Sequence, residues 1–131
     1  MPEFVADFHI HSRYSRACSK DLSVQELAKW AKLKGIGVLG TGDFTHPLWL
    51  QELQEALRPT GRGLFEFDGA HFCLTAEVNT LFYKRGKAHN IHHVLFAPSF
   101  ETVKRINQAL AAFGSLSIDG RPILQTEAWR L

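Results

Sequence analysis

Apolar and polar positions alternate from the start of the chain. Phe4, Ala6, Phe8 and Ile10 fall on one parity, and Val5, Asp7, His9 and His11 on the other. A period of two predicts a β-strand, with the His9 and His11 side chains on one face and their Cα atoms roughly 6.6 Å apart. A polar loop from Ser12 to Asp21 follows and carries Arg13, Arg16 and Lys20. Ser23-Val24-Gln25-Glu26 has the form of a capping box and predicts a helix start. The buried stripe of that helix is Val24, Leu27, Ala28 and Ala31, and Gly35 stops it. Ile36 to Leu39 is a short apolar run, read as a strand buried on both faces. The order strand, helix, strand implies a right-handed parallel crossover.

The pattern then repeats. Gly40-Thr41-Gly42-Asp43-Phe44-Thr45-His46 leads to Pro47, which suits the first position of a helix, and Trp49, Leu50, Leu53, Ala56 and Leu57 supply its apolar face. Arg58 to Gly63 reads as a loop. Phe72 to Val78 predicts a strand that stays extended to Tyr83, and Lys84-Arg85-Gly86-Lys87 a hairpin turn. Ile91 to Ala97 predicts the next strand. A third helix follows Ser99, with Val103, Ile106, Leu110 and Phe113 at helical spacing and Gly114 as its end. Between Ser115 and Leu131 the sequence predicts only a turn at Asp119-Gly120. The fold class expected is α/β, with strands alternating with helices in one domain over residues 1–131.

Composition narrows this. A chain of 131 residues is enough for one core, but a complete α/β barrel needs about 200–250. With 45% hydrophobic and 21% charged residues it has globular composition. A net charge of only +2 leaves any nucleic-acid contact to local patches. The two cysteines, Cys18 and Cys73, make neither a disulfide framework nor a zinc finger, and free thiols fit a reducing cytoplasm. No apolar run reaches 18 residues and no basic-then-apolar leader opens the chain, so neither a membrane span nor export is expected.

Histidine is the informative residue, with seven in the chain. In parallel α/β folds the carboxyl ends of strands gather on one face. His9 and His11 are expected at the end of the first strand, Asp43 and His46 just after the second, Glu77 near the end of the third, and His92 and His93 early in the last. Imidazole and carboxylate without thiolate suit a catalytic zinc, manganese or iron site. Several such ligands can hold two cations about 3.5–4 Å apart, an arrangement that serves phosphoryl transfer. Asp7 is a candidate carboxylate behind a ligand histidine. Each residue also has a structural reading: Asp43 as a turn residue, His46 as a helix cap, Glu77 as an exposed strand residue. His71 and His89 are read as surface residues, and Cys18 as an idle thiol.

Asp7-Phe8-His9-Ile10-His11-Ser12-Arg13-Tyr14-Ser15 resembles the opening motif of the PHP (polymerase and histidinol phosphatase) superfamily. Gly40 to Pro47, Thr75 to Val78 and Ile91 to Ser99 resemble its later motifs. Within that superfamily the chain is most similar to the endonuclease Q family of DNA-repair enzymes. The similarity is carried by Ala28-Lys29-Trp30-Ala31-Lys32, Gly40-Thr41-Gly42-Asp43-Phe44-Thr45-His46-Pro47, His92 with Phe96-Ala97-Pro98-Ser99, and Asp119-Gly120-Arg121-Pro122-Ile123-Leu124.

The resemblance implies the N-terminal half of a distorted (β/α) PHP barrel, with the C-terminal part of the domain absent. It also implies a DNA-repair endonuclease that cuts 5′ of deaminated bases (uracil, hypoxanthine, xanthine) or abasic sites. Carried over, His9, His11, Glu77 and His92 are metal ligands. Asp43, His46 or both supply a further one, and these two are the candidate catalytic residues. His93 remains an alternative to His92, because a slip of one residue swaps strand faces. The cofactors implied are divalent metal ions, zinc foremost, with manganese, magnesium or iron as alternatives, two or three per complete domain. The partners implied are DNA containing deaminated bases or abasic sites and the missing C-terminal part of the same domain. One departure is Arg16, which stands where many relatives have Asp.

On this reading Arg13, Arg16 and Lys20 bind substrate phosphates and Lys84, Arg85 and Lys87 form a second patch, against the plainer account of solvated charged loops. Tyr14, Phe44 and Trp49 are candidate walls for an extruded base, or else core. Two rival functions are a small-molecule phosphatase of the histidinol-phosphatase kind and a non-catalytic, truncated metal-binding fragment.

Overall fold

The computed structural model of the chain describes residues 3–131. In chain order its elements are β1 (Val5–Asp7), α1 (Val24–Lys34), β2 (Ile36–Gly40), α2 (Pro47–Ala56), β3 (Arg58–Gly61), β4 (Leu64–Phe67), β5 (Ala70–Lys84), β6 (Lys87–Ala97), α3 (Phe100–Leu110) and β7 (Ile123–Leu124). Together they form a mixed α/β fold whose sheet curls into a half-barrel, with three helices.

The 15-residue β5 is the spine. Its first residues pair with β2 in parallel (Leu39 with Phe72, Gly40 with Cys73) and with β4 antiparallel. Its remainder pairs antiparallel with β6, from Leu74 opposite Ala97 to Lys84 opposite Lys87, and in parallel with β7 at Asn79 and Thr80. β1 lies beyond β2 in parallel. The core between helices and sheet is built on Phe44, Trp49, Leu53, Phe72, Leu74 and Val103, each 1% exposed or less. β5 therefore continues past the end of β2, and β6 folds back along that extension. This strand pair makes the wall above the ends of β1 and β2.

Local chemistry explains the helix ends. Ser23 Oγ accepts from Glu26 N–H at 3.3 Å, while the Glu26 carboxylate turns to Lys29, so only half of the capping box forms. Gly35 takes φ +68° and closes α1. α3 ends at Ala111, before Gly114. Gly114 instead makes room for a strand. A Cβ there would lie 2.8 Å from Ile123 O, so the missing side chain admits β7.

Three further expectations are corrected. β1 stops at Asp7, so His9 and His11 stand in the loop after it. A Cβ on Gly40 would lie 2.8 Å from Phe8 O, so this glycine lets the chain cross over the sheet edge where pairing ends. Arg58 to Gly63 is a hairpin, with Arg62 and Gly63 both at positive φ in its turn and Arg58 bonded to Glu66. Its strands are four residues each, and β3 is exposed throughout, which leaves no alternation to read there. Lastly, β5 is one unbroken strand from Ala70 to Lys84, so Glu77 is in the middle of its strand and not near its end. The hairpin turn between β5 and β6 forms as expected, with Arg85 and Gly86 both at positive φ.

Candidate metal centre

Glu77 is the hub of the site. Its carboxylate is 3% exposed, and both oxygens are taken by imidazoles. Oε2 lies 2.7 Å from His9 Nε2 and 3.0 Å from His11 Nε2, and Oε1 is bonded to His92 Nδ1. Burial favours the protonated carboxyl, but the hydrogen bonds from His9 and His92 outweigh it and hold Glu77 below the ordinary carboxylate range. The loop after β1 delivers His9 and His11. The extension of β5 delivers Glu77, and β6 delivers His92. Register settles which histidine of the pair faces the hub. Asn79 is opposite His92, and Asn79 shares a face with Glu77. His93 is opposite Val78 on the other face and bonds to Thr80 Oγ1 at 3.0 Å.

Asp43 stands behind this group. It is fully buried, at φ +51°, in the turn after β2. Its Oδ1 lies 3.0 Å from His11 Nδ1, and its Oδ2 accepts from Ser12 N, Ser12 Oγ and Ser15 Oγ at 2.7, 2.7 and 2.9 Å. The Asp43 hydrogen bond raises the pKa of His11, against the opposing effect of burial. With the His11 Nδ1 proton committed to Asp43, Nε2 is left to offer its lone pair toward His9 and Glu77. Asp43 thus orients His11 from behind, while the donor atoms that converge come from His9, His11 and Glu77. Ser12 and Ser15 were not singled out from sequence; the signal available was their place inside the opening motif.

His46 lies outside the cluster. It stands at the N-terminal end of α2, stacked on Tyr14 at 4.4 Å between centroids, with Nδ1 buried and unpartnered. Burial lowers its pKa. Asp7 accepts from the His9 backbone N–H at 3.2 Å and so shapes the turn.

The expected phosphate-binding residues are largely occupied. Arg13 bonds Glu52 at 2.7 Å, and Tyr14 Oη donates to the other oxygen of the same carboxylate at 2.6 Å. Lys20 Nζ donates to Arg13 O, and Arg16 stays mostly exposed beside Asp119 at 3.4 Å. Phe44 and Trp49 are core, and Tyr14 is held by Glu52 and stacked on His46. His71 and His89 are exposed, as expected. Burial raises the Cys18 thiol and lifts Cys73 to about 11, so neither is a nucleophile near neutral pH.

The donor set fits a divalent cation. One donor atom from each of His9, His11 and Glu77 lies within 4.8 Å of the others. Zinc bonds of about 2.0–2.1 Å place neighbouring tetrahedral donors roughly 3.3 Å apart. The 2.7 and 3.0 Å contacts at Glu77 would need to open by only about half an ångström to admit the ion.

The fold is similar to that of endonuclease Q. The lesion-specific endonuclease Q of Pyrococcus furiosus superposes with a TM-score of 0.84 at 36% identity, over 95% of this chain and 30% of that one. Endonuclease Q in complex with a 27-mer duplex substrate, an abasic lesion at its active site, gives 0.83 at 36% identity, with the same coverage. An uncharacterized protein of Methanocaldococcus jannaschii is 32% identical over 117 residues, 88% of this chain and 13% of that protein. No family model matches the chain. This chain therefore spans under a third of the endonuclease Q chains and about an eighth of the curated relative. Among the described residues, no helix is long and apolar enough to cross a membrane.

Proposed function

We propose that the chain carries part of the active site of a metal-dependent phosphodiester hydrolase, a DNA-repair endonuclease that cuts 5′ of deaminated bases or abasic sites. One observation carries the reading: three imidazoles and a buried carboxylate converge, one imidazole oriented by Asp43, on a fold shared with a lesion-specific endonuclease.

His9 and His11 would hold a cation with Glu77 Oε2, and His92 stands on Oε1, a division that suits a carboxylate shared between two ions. A divalent cation bound there supplies positive charge for the phosphoryl oxygens and acidifies water toward neutral pH. The protein's own contribution is geometric. Asp43 fixes the orientation of His11, and Ser12 and Ser15 hold Asp43 in place. The burial of Glu77 excludes competing water.

The test pairs elemental analysis of the purified chain with cleavage of oligonucleotides bearing one uracil, one hypoxanthine or one abasic site. Expected are at least one bound zinc, manganese or iron per chain and a cut 5′ of the lesion that chelator abolishes. Turnover of small phosphate monoesters with no cutting of DNA would assign the site to a phosphatase. Absence of both metal and cleavage would leave the chain a non-catalytic fragment.

A further inference from the structure

A turn of four residues links the metal centre to α2. Ser12-Arg13-Tyr14-Ser15 is closed by a hydrogen bond from Ser15 N to Ser12 O at 3.1 Å, with Arg13 and Tyr14 at its corners. Two carboxylates hold it, one at its ends and one at its corners. At the ends, the Ser12 and Ser15 hydroxyls donate to Asp43 Oδ2 at 2.7 and 2.9 Å. At the corners, Arg13 Nη2 donates to Glu52 Oε2 at 2.7 Å and Tyr14 Oη to Glu52 Oε1 at 2.6 Å. The two grips are joined inside the turn, since Tyr14 N donates to Ser12 Oγ at 3.2 Å. Tyr14 O also accepts from Gly120 N at 3.1 Å, and Gly120 packs on Asp43.

Glu52 is a fixed anchor for this turn. Trp49 and Leu53, both buried, seat α2 in the core on either side of it in the chain. Trp49 also bonds the carbonyls of Thr41 and Gly42, next to Asp43. One helix therefore fixes both carboxylates, and a group borne on a helix holds its position better than one on a loop. The Arg13 and Glu52 side chains are 34% and 28% exposed, and ion pairs at such positions add little to overall stability. Loss of Glu52 should accordingly be felt locally, where the turn meets Asp43.

We infer that Glu52 is a positioning residue of the metal centre: through Arg13 and Tyr14 it holds the serine hydroxyls on Asp43, and through Asp43 it sets the direction of the His11 ring. The inference rests on the metal-centre reading above and adds a residue outside it. Glu52 bonds to Arg13 and Tyr14 and not to a donor of the centre, so its effect on a metal must pass through Asp43. Arg13 is then a strut of the site instead of a contact to substrate phosphate. A guanidinium and a phenol on one carboxylate make two charge-assisted bonds, which fix direction as well as distance.

The full chain is titrated with zinc against a fluorescent chelator, and cobalt-loaded samples are compared by their visible spectra. Glu52→Ala should weaken zinc binding about tenfold, the low end of the loss when the support of a ligand histidine is removed, and shift the cobalt bands. Glu52→Gln keeps an acceptor for Tyr14 and should fall between alanine and wild type. Tyr14→Phe keeps the ring and removes only the donor; it should also weaken zinc, and it serves if Glu52→Ala fails to fold. Glu55→Gln, three residues on and exposed, should match wild type. A double-mutant cycle with Asp43→Asn shows the route: in that background Glu52→Ala should cost no more than about twofold further. Additive losses would overturn the positioning role and leave the metal centre standing. So would zinc affinity unchanged in Glu52→Ala and Tyr14→Phe, or a lower unfolding midpoint with the cobalt spectrum unmoved. Wild type that takes up neither zinc nor cobalt would overturn the metal-centre reading itself, and this inference with it.

Discussion

At the scale of single residues, a second buried carboxylate, Asp43, stands behind the Glu77 hub. Asp43 makes four hydrogen bonds, three of them from the segment that follows His11, so the orientation of His11 and the shape of that loop are one variable. Gly120 completes the packing around it. A Cβ there would lie 2.3 Å from Asp43 Oδ2 and 2.5 Å from Ser15 Oγ, closer than folded proteins tolerate. Asp43→Asn replaces an acceptor with an NH2 that faces donors, and Gly120→Ala pushes the carboxylate from its place. Both are expected to lower metal affinity by about 10- to 100-fold, the usual cost of losing the partner of a ligand histidine. Competition against a fluorescent chelator measures this. A change in Asp119, 18% exposed and at the rim, serves as the comparison. Affinity unchanged in both Asp43→Asn and Gly120→Ala would show that His11 does not need its orienting carboxylate.

At the scale of elements, the turn between β2 and α2 is held from behind by an indole. Trp49 Nε1 donates to Thr41 O at 3.3 Å and Gly42 O at 2.9 Å, and Thr75 Oγ1 accepts from Gly42 N at 2.9 Å. Trp49→Phe keeps an aromatic ring but leaves two buried carbonyls without their donor, a cost of about 1–3 kcal/mol. The denaturation midpoint should fall at constant m-value, and metal affinity should fall with it, since the same turn carries Asp43. Loss of stability with no loss of affinity would separate the turn from the site. Much of this was legible in the sequence, because helices α1 and α2 announce themselves through periodicity, a serine cap, Gly35 and Pro47. The candidate ligands were legible as residue types. Their roles were not: a sequence shows that Asp43 and His46 are near each other, but not that Ser12 and Ser15 saturate one while Tyr14 covers the other. The β3–β4 hairpin was hidden for a different reason. Pairing partners are set by tertiary contacts, and exposed strands carry no alternation to betray them.

At the scale of the molecule, the sheet is open at both ends. Among the described strands β1 pairs only with β2 and β3 only with β4. The β1 end is also apolar: Phe4, Val5 and Phe96 are 65%, 62% and 55% exposed, and Phe8 meets Phe96 edge to face at 5.4 Å beside them. An unpaired strand edge next to a greasy face is a template for pairing with another chain. β3 is protected by comparison, being four residues long, with a proline and a flanking Arg58–Glu66 ion pair. The chain in isolation is therefore expected to self-associate as its concentration rises, through the β1 end and not through β3. Sedimentation velocity measures this directly. Val5→Lys and Phe96→Lys should each shift the distribution toward monomer without reducing metal uptake, because neither residue touches Glu77 or its histidines. Added salt should leave the wild-type association intact or strengthen it, as hydrophobic contacts predict, whereas an association through ion pairs would dissolve. A sample that stays monomeric throughout, or one that the lysine substitutions fail to disperse, would show that this edge is blunted by its own twist.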